Sequence, residues 1–130
     1  MKIILDTNII VSALLSPHGL PAKILNLVLN GNAKIIYDNS ILSEYIDVLG
    51  RKYLKLNHEN VNILLDFIEK NGEYKIAIPQ NKTFVDEDDK KFYELFKSGD
   101  VNYLITGNKK HFPQGKGIVT AKEFIDVEYG

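Results

Sequence analysis

Asp6, Glu44 and Asp89 are acids that follow an apolar run or share a helix face with apolar residues, where a carboxylate needs a partner because burying an unpaired charge is costly. Asp6 ends the apolar run Ile3-Ile4-Leu5 and is followed by two small polar residues, Thr7 and Asn8. On a helix Glu44 shares a face with Ile41 and Val48, beside the apolar Tyr45. The role of a solvated helix acid suits Asp47 better, since Arg51 follows at the spacing of a surface ion pair. Asp89 precedes Phe92 and Tyr93 at helical spacing and so faces the side of the buried aromatics. A second reading of Asp89 stands beside that one. With Asp86 as N-cap, Asp89 resembles part of a capping arrangement, and acids there favour the helix dipole by about 0.3–1 kcal/mol each. Asn108, after the run Tyr103-Leu104-Ile105-Thr106 and Gly107, reads most plainly as a turn residue.

Carboxylates gathered within several ångströms repel and raise one another's pKa unless a cation neutralises them. With no cysteine and no paired histidines, a cation here would have oxygen ligands, which select Mg²⁺ or Mn²⁺ over zinc. A hard divalent ion on a few carboxylates activates water and stabilises charge on a phosphate, which is phosphoryl chemistry.

The elements that must bring these acids together follow from the apolar pattern. A continuous run such as Ile3–Leu5 is the habit of a strand buried on both faces of a parallel sheet. Asp6 then falls at the strand's carboxyl end, where open α/β sheets build ligand sites. Further strands are predicted at Lys34–Tyr37, Lys75–Ile78, Tyr103–Thr106 and Gly117–Thr120. Helices are predicted over Ile9–Leu15 with Asp6 or Thr7 as N-cap, from Pro21 to Leu29, and from Ile41 to Leu49 with Ser40 as cap. Others cover Val61–Ile68, the stretch opened by Asp86–Asp89 and running through Phe96, and a short segment with Phe124 and Ile125. This alternation implies an α/β fold with a parallel, doubly wound sheet. No repeat, low-complexity tract or linker interrupts it, so one α/β domain over residues 1–130 is expected. If the first strand is central and the Leu104 strand is its neighbour, Asp6 and Asn108 flank one crevice. The helices bearing Glu44 and Asp89 then start from the same edge of the sheet.

Composition narrows the class without choosing the chemistry. The chain has 130 residues, 45% hydrophobic and 25% charged, which is the make-up of a soluble globular domain. Its 16 Lys+Arg against 17 Asp+Glu lend no overall support to a nucleic-acid partner, although a local basic patch is enough for one. No stretch approaches the ~20 apolar residues of a membrane span. The first residues lack the apolar core of a secretory leader, and cysteine is absent, so a reducing cytoplasm is expected.

The ordered set Leu5-Asp6-Thr7-Asn8, Ser43-Glu44-Tyr45 with Val48-Leu49 and Arg51, Asp86-Glu87-Asp88-Asp89-Lys90-Lys91-Phe92 and Tyr103-Leu104-Ile105-Thr106-Gly107-Asn108 resembles the PIN-domain ribonucleases. Within them it is most similar to the toxin components of bacterial and archaeal toxin–antitoxin pairs. The resemblance implies a three-layer α/β/α fold with a parallel sheet of about five strands, and metal-dependent cleavage of single-stranded RNA. It places the family's acids on Asp6, Glu44 and Asp89, with Asp86 as an outer helper and Asn8 and Thr106 as polar residues that shape the site. Many members carry a fourth acid where this chain has Asn108, whose amide oxygen can ligate a hard ion but brings no charge. A weaker second ion site, or a single tightly held Mg²⁺ or Mn²⁺, is therefore expected. Lys90, Lys91, Lys109, Lys110 and Arg51 are candidates to steer the RNA backbone. The resemblance further implies a cognate antitoxin and allows a homodimer.

Two rival readings are open to the same residues. A haloacid-dehalogenase-like phosphatase needs a second acid two positions after the nucleophile, where Asn8 stands, and a phosphorelay receiver wants an acidic pair at its first strand end. A catalytically silent PIN-fold binding module gains weight from Asn108 and loses it from the joint presence of Asp6, Glu44 and Asp89.

Overall fold

Short runs rich in isoleucine and leucine form the middle of the molecule, which we describe from a computed structural model covering residues 1–130. The strands are β1 (Lys2–Leu5), β2 (Lys34–Tyr37), β3 (Glu73–Tyr74), β4 (Tyr103–Ile105) and β5 (Ile118–Val119). The helices are α1 (Thr7–Leu15), α2 (Leu20–Leu29), α3 (Asn39–Leu49), α4 (His58–Asn71), α5 (Lys90–Lys97) and α6 (Ala121–Tyr129). All strand pairs are parallel, in the order β3-β2-β1-β4-β5. The chain thus builds outward from β1 on one side, crosses over, and finishes on the other, so the strand order reverses between β1 and β4.

Helices cover both faces, giving three α/β/α layers: α2 packs on α1 and α6, and α3 packs on α4 and α5. The apolar residues of β1 and β2 are buried from both sides, with Ile3, Ile4, Leu5 and Ile36 at 0% exposure. Close approach has its own requirement at Gly72. A Cβ there would lie 2.5 Å from the Ile68 carbonyl oxygen and 2.8 Å from that of Ile35, so only glycine lets α4 end against β2. No helix is long and apolar enough to cross a membrane.

Some local expectations are corrected. Asp38, not Ser40, caps α3: its backbone is extended and its Oδ1 accepts from the Ile41 amide at 2.8 Å, leaving Ser40 inside the first turn. No strand forms over the expected Lys75–Ile78; β3 lies just before it, at Glu73–Tyr74. β2 ends at Tyr37, whose carbonyl takes the Lys75 amide, and no ladder continues. The chain is instead drawn to α5, where the Ile78 amide donates to Ser98 Oγ and the Gln80 amide to Glu94. Asp86 caps a 3₁₀ turn over Glu87–Asp89 by accepting from the Asp88 amide, and α5 proper begins after it. The last helix is longer than expected and starts at a full capping box, Thr120 with Glu123.

Tyr45 ties the layers together at the end of β1. Its ring is fully buried and its hydroxyl donates to the Leu5 carbonyl, fixing α3 against the strand that delivers Asp6. Tyr45→Phe removes that donor and is expected to lower unfolding free energy by about 1 kcal/mol. Urea denaturation reads this directly; an unchanged midpoint would show the hydroxyl to be idle.

Candidate active site

Asp6 is delivered to the carboxyl end of the sheet by β1, and its amide continues the ladder to the Ile105 carbonyl at 3.0 Å. It stands at the N-cap position of α1 but makes no side-chain capping bond. Thr106, fully buried just after β4, donates from its hydroxyl to Asp6 Oδ2 at 2.7 Å and accepts from the Asn108 amide at 3.0 Å. Thr106 therefore links the turn after β4 to the acid after β1, across the reversal in strand order. Burial, and after it the nearby Glu44 charge, pushes the Asp6 pKa above the usual carboxylate range, against the pull of the Thr106 bond.

Glu44 comes from the middle of α3. One of its oxygens accepts from the Thr7 hydroxyl at the start of α1. The other lies 2.6 Å from the Lys91 ammonium on α5, which also donates to the Asp88 carbonyl at 2.7 Å. Tyr45, next along α3, has its pKa pushed well up by burial, then by Asp6 and Glu44, so its hydroxyl stays a donor.

Asp89 ends the 3₁₀ turn and is 7% exposed. Asp86 does cap the turn in which Asp89 is third, as the capping alternative has it, but the Asp89 side chain makes no cap hydrogen bond on α5. Burial raises its pKa, followed by repulsion from Asp6 and Asp86, with His111 opposing. His111 Nδ1 lies 3.3 Å from Asp89 Oδ2, and apart from that contact the buried oxygen has no hydrogen-bond partner. An orphaned buried acceptor of this kind calls for an explanation such as an ion or water.

These side chains surround a cleft of about 570 Å³ between α1, α3 and the turn before α5. It is lined by six carboxylates (Asp6, Glu44, Asp47, Asp86, Asp88 and Asp89) against one arginine, Arg51, with Asn8, Asn108 and Tyr53 also on its wall. Arg51 is itself paired with Asp47 at 3.0 Å. The predicted lysines stand elsewhere: Lys91 is committed to Glu44, Lys109 pairs with Glu123, and Lys90 and Lys110 are neither in an ion pair nor on the cleft wall. The residues that sequence reasoning missed are Lys91 as the partner of Glu44, His111 beside Asp89, and the Thr7 hydroxyl. Of these only Thr7 had a signal, its place directly after the strand-end acid.

The expectation that Asp6, Glu44 and Asp89 converge on one point is modified by the geometry. They share a cleft, but no group of three His, Asp or Glu side chains is close enough to form a ready-made cage for an ion. The set fits a hydrated hard cation, which keeps several waters and uses few protein ligands. Two buried, mutually repelling aspartates and the donor-less Asp89 oxygen are what such an ion would satisfy.

Residues 2–110 match the PIN domain family, a span that contains every residue of the cleft wall. The chain belongs to the PIN-domain family. It is also similar to an uncharacterized protein of Methanocaldococcus jannaschii, with 33% identity over 117 residues that cover 84% of this chain and 72% of the other. No solved structure matches. PIN domains are generally nucleases, hydrolases of phosphodiesters that typically use divalent metal ions. In this PIN domain the strand-order reversal, the acids and the cleft all occupy one end of the sheet.

Asp6→Asn keeps an oxygen for Thr106 and removes the repelling charge. The metal-free variant is expected to be more stable than the parent by about 1 kcal/mol at neutral pH, as when a strained active site is relaxed. The sign follows from the raised Asp6 pKa: stability tied to that carboxyl is present when it is protonated and lost as pH rises through its folded-state pKa. The gain should therefore vanish as pH falls below the usual aspartate range. Urea unfolding at several pH values checks both parts, and a destabilised variant at neutral pH would contradict the repulsion.

Proposed function

We propose that this PIN-domain protein is an Mg²⁺- or Mn²⁺-dependent endoribonuclease that cleaves phosphodiester bonds of single-stranded RNA. The observation that carries the reading is the pair Asp6 and Asp89: buried in one open cleft, with one Asp89 oxygen that has no hydrogen-bond partner beyond the His111 contact. An ion bound there would supply water activation and offset charge on the phosphate.

The chain's own groups orient that chemistry. Thr106 fixes which Asp6 oxygen is free by holding Oδ2. Thr7 and Lys91 hold Glu44 at the rim from two sides. Asn108 offers a neutral wall where an acid would add charge, which favours one tightly held ion over two. Asp86 is anchored to the turn amide, so its role is outer, through repulsion and water rather than direct capture. Arg51 and the exposed Tyr53 stand at the mouth, where a strand's phosphate and base would enter.

The biological setting that we propose is the toxin of a toxin–antitoxin pair, acting in the cytoplasm, with a cognate antitoxin as partner and a homodimer as a possible form. Induced expression of the parent is then expected to arrest growth, while Asp6→Asn does not. At the bench, Asp6→Asn and Asp89→Asn are each expected to lower Mg²⁺-dependent cleavage of single-stranded RNA by at least about 100-fold, and chelation should abolish it. Equal cleavage by parent and variants would remove the proposed site. Calorimetric titration with Mn²⁺ should count one tight ion, and two equally tight ions would contradict the role given to Asn108.

A further inference from the structure

Lys91 stands behind Glu44, just off the wall of the acidic cleft. Its side chain is 20% exposed, its Nζ lies 2.6 Å from Glu44 Oε1 and 2.7 Å from the Asp88 carbonyl, and it sits 5.4 Å from the Phe92 ring centroid. The second Glu44 oxygen is taken by the Thr7 hydroxyl. Both Glu44 oxygens are thus engaged by donors from α1 and α5, whereas Asp89 keeps a buried oxygen with none. The three acids are equivalent in type, but only Glu44 has a cation of its own, while Asp6 is held by the Thr106 hydroxyl and Asp89 keeps a buried oxygen outside any hydrogen bond.

Resting on the nuclease reading above, we propose that Lys91 is a positioning residue that acts as a resident counter-cation: it holds Glu44 at the cleft rim and leaves Asp6 and Asp89 as the pair that carries the ion. A charged ammonium beside Glu44 stands where a second metal ion would otherwise balance that carboxylate. The neutral Asn108 on the cleft wall is in keeping with this, since Lys91 already balances one of the carboxylates there. Glu44 then works through ordered water and its contact with Thr7.

The test is Mn²⁺ titration calorimetry on metal-free parent, Lys91→Gln and Lys91→Arg, alongside RNA cleavage. Removing the ammonium frees Glu44 and makes the cleft more negative, so Lys91→Gln should gain a second Mn²⁺ or bind the first about tenfold more tightly. Cleavage should fall at the same time, by about tenfold or more, because Glu44 is no longer held. Lys91→Arg should restore the parent's ion count. Tighter binding with slower cleavage is a split that a merely structural lysine would not produce; weaker or unchanged Mn²⁺ binding in Lys91→Gln would overturn the proposal.

Should Lys91→Gln not fold, Glu44→Gln and Asp89→Asn decide the matter. Glu44→Gln should weaken Mn²⁺ binding by less than about tenfold and Asp89→Asn by more than about 100-fold. Equal losses would make Glu44 a direct ligand and overturn the role given to Lys91. A parent that binds no Mn²⁺ would sink the nuclease reading together with this inference, whereas a parent that binds it and variants that do not diverge would sink this inference alone.

Discussion

Like-charge repulsion at the carboxyl end of β1 is the constraint around which the rest of this molecule is arranged. β1 is buried on both faces by its isoleucines, so the residue that follows it is delivered into the interior edge of the sheet whatever its type. That residue is an aspartate, and the crossover from β3 to β4 brings Thr106 and Asn108 beside it. α3 and the turn before α5 then add Glu44 and Asp89 to the same cleft. Each acid meets a specific response: Thr106 on Asp6, Thr7 and Lys91 on Glu44, and His111 alongside Asp89. The responses are incomplete at Asp89, and a natural protein carries such an uncompensated site where function requires it.

The same arrangement sets the electrostatics of any encounter with RNA. With six carboxylates and one paired arginine on the cleft wall, a phosphodiester approaching the bare protein meets net negative charge. A bound cation would have to reverse that field locally before a phosphate could settle, so the ion's part in binding is as basic as its part in the chemistry. The chain's other lysines do not relieve this, since Lys109 is spent on Glu123 and Lys90 and Lys110 lie off the wall.

How far the sequence alone could be read varied with the range of the forces involved. The strands around Ile3–Leu5, Ile35–Ile36 and Leu104–Ile105 are legible because a run buried on both faces leaves no polar alternation. Their parallel order follows from alternation with helices. The cap of α3 was misplaced because Asp38 and Ser40 are both good caps, and only the extended backbone at Asp38 chooses between them. Lys75–Ile78 has the residues of a strand, but β2 stops at Tyr37, whose carbonyl takes the Lys75 amide and ends the ladder; Ser98 then takes the Ile78 amide.

Asp6 and Glu44 are legible as candidates because each breaks an apolar pattern, after a buried strand and on a packed helix face, whereas Asp89 lies in the acidic run Asp86–Asp89 and reads equally as a capping acid. The partners of these acids are not legible. Lys91 looks in sequence like any surface lysine beside Lys90, and its pairing with Glu44 depends on the packing of α3 against α5, which no local spacing encodes. His111 reaches Asp89 only through the turn after β4. Whether the pair at the heart of the cleft is a cation site can be seen directly by anomalous diffraction from crystals soaked in Mn²⁺. A peak is expected between the Asp6 and Asp89 carboxylates; a soaked crystal with no peak there, or with Mn²⁺ held only elsewhere on the surface, would contradict a cation site at this pair.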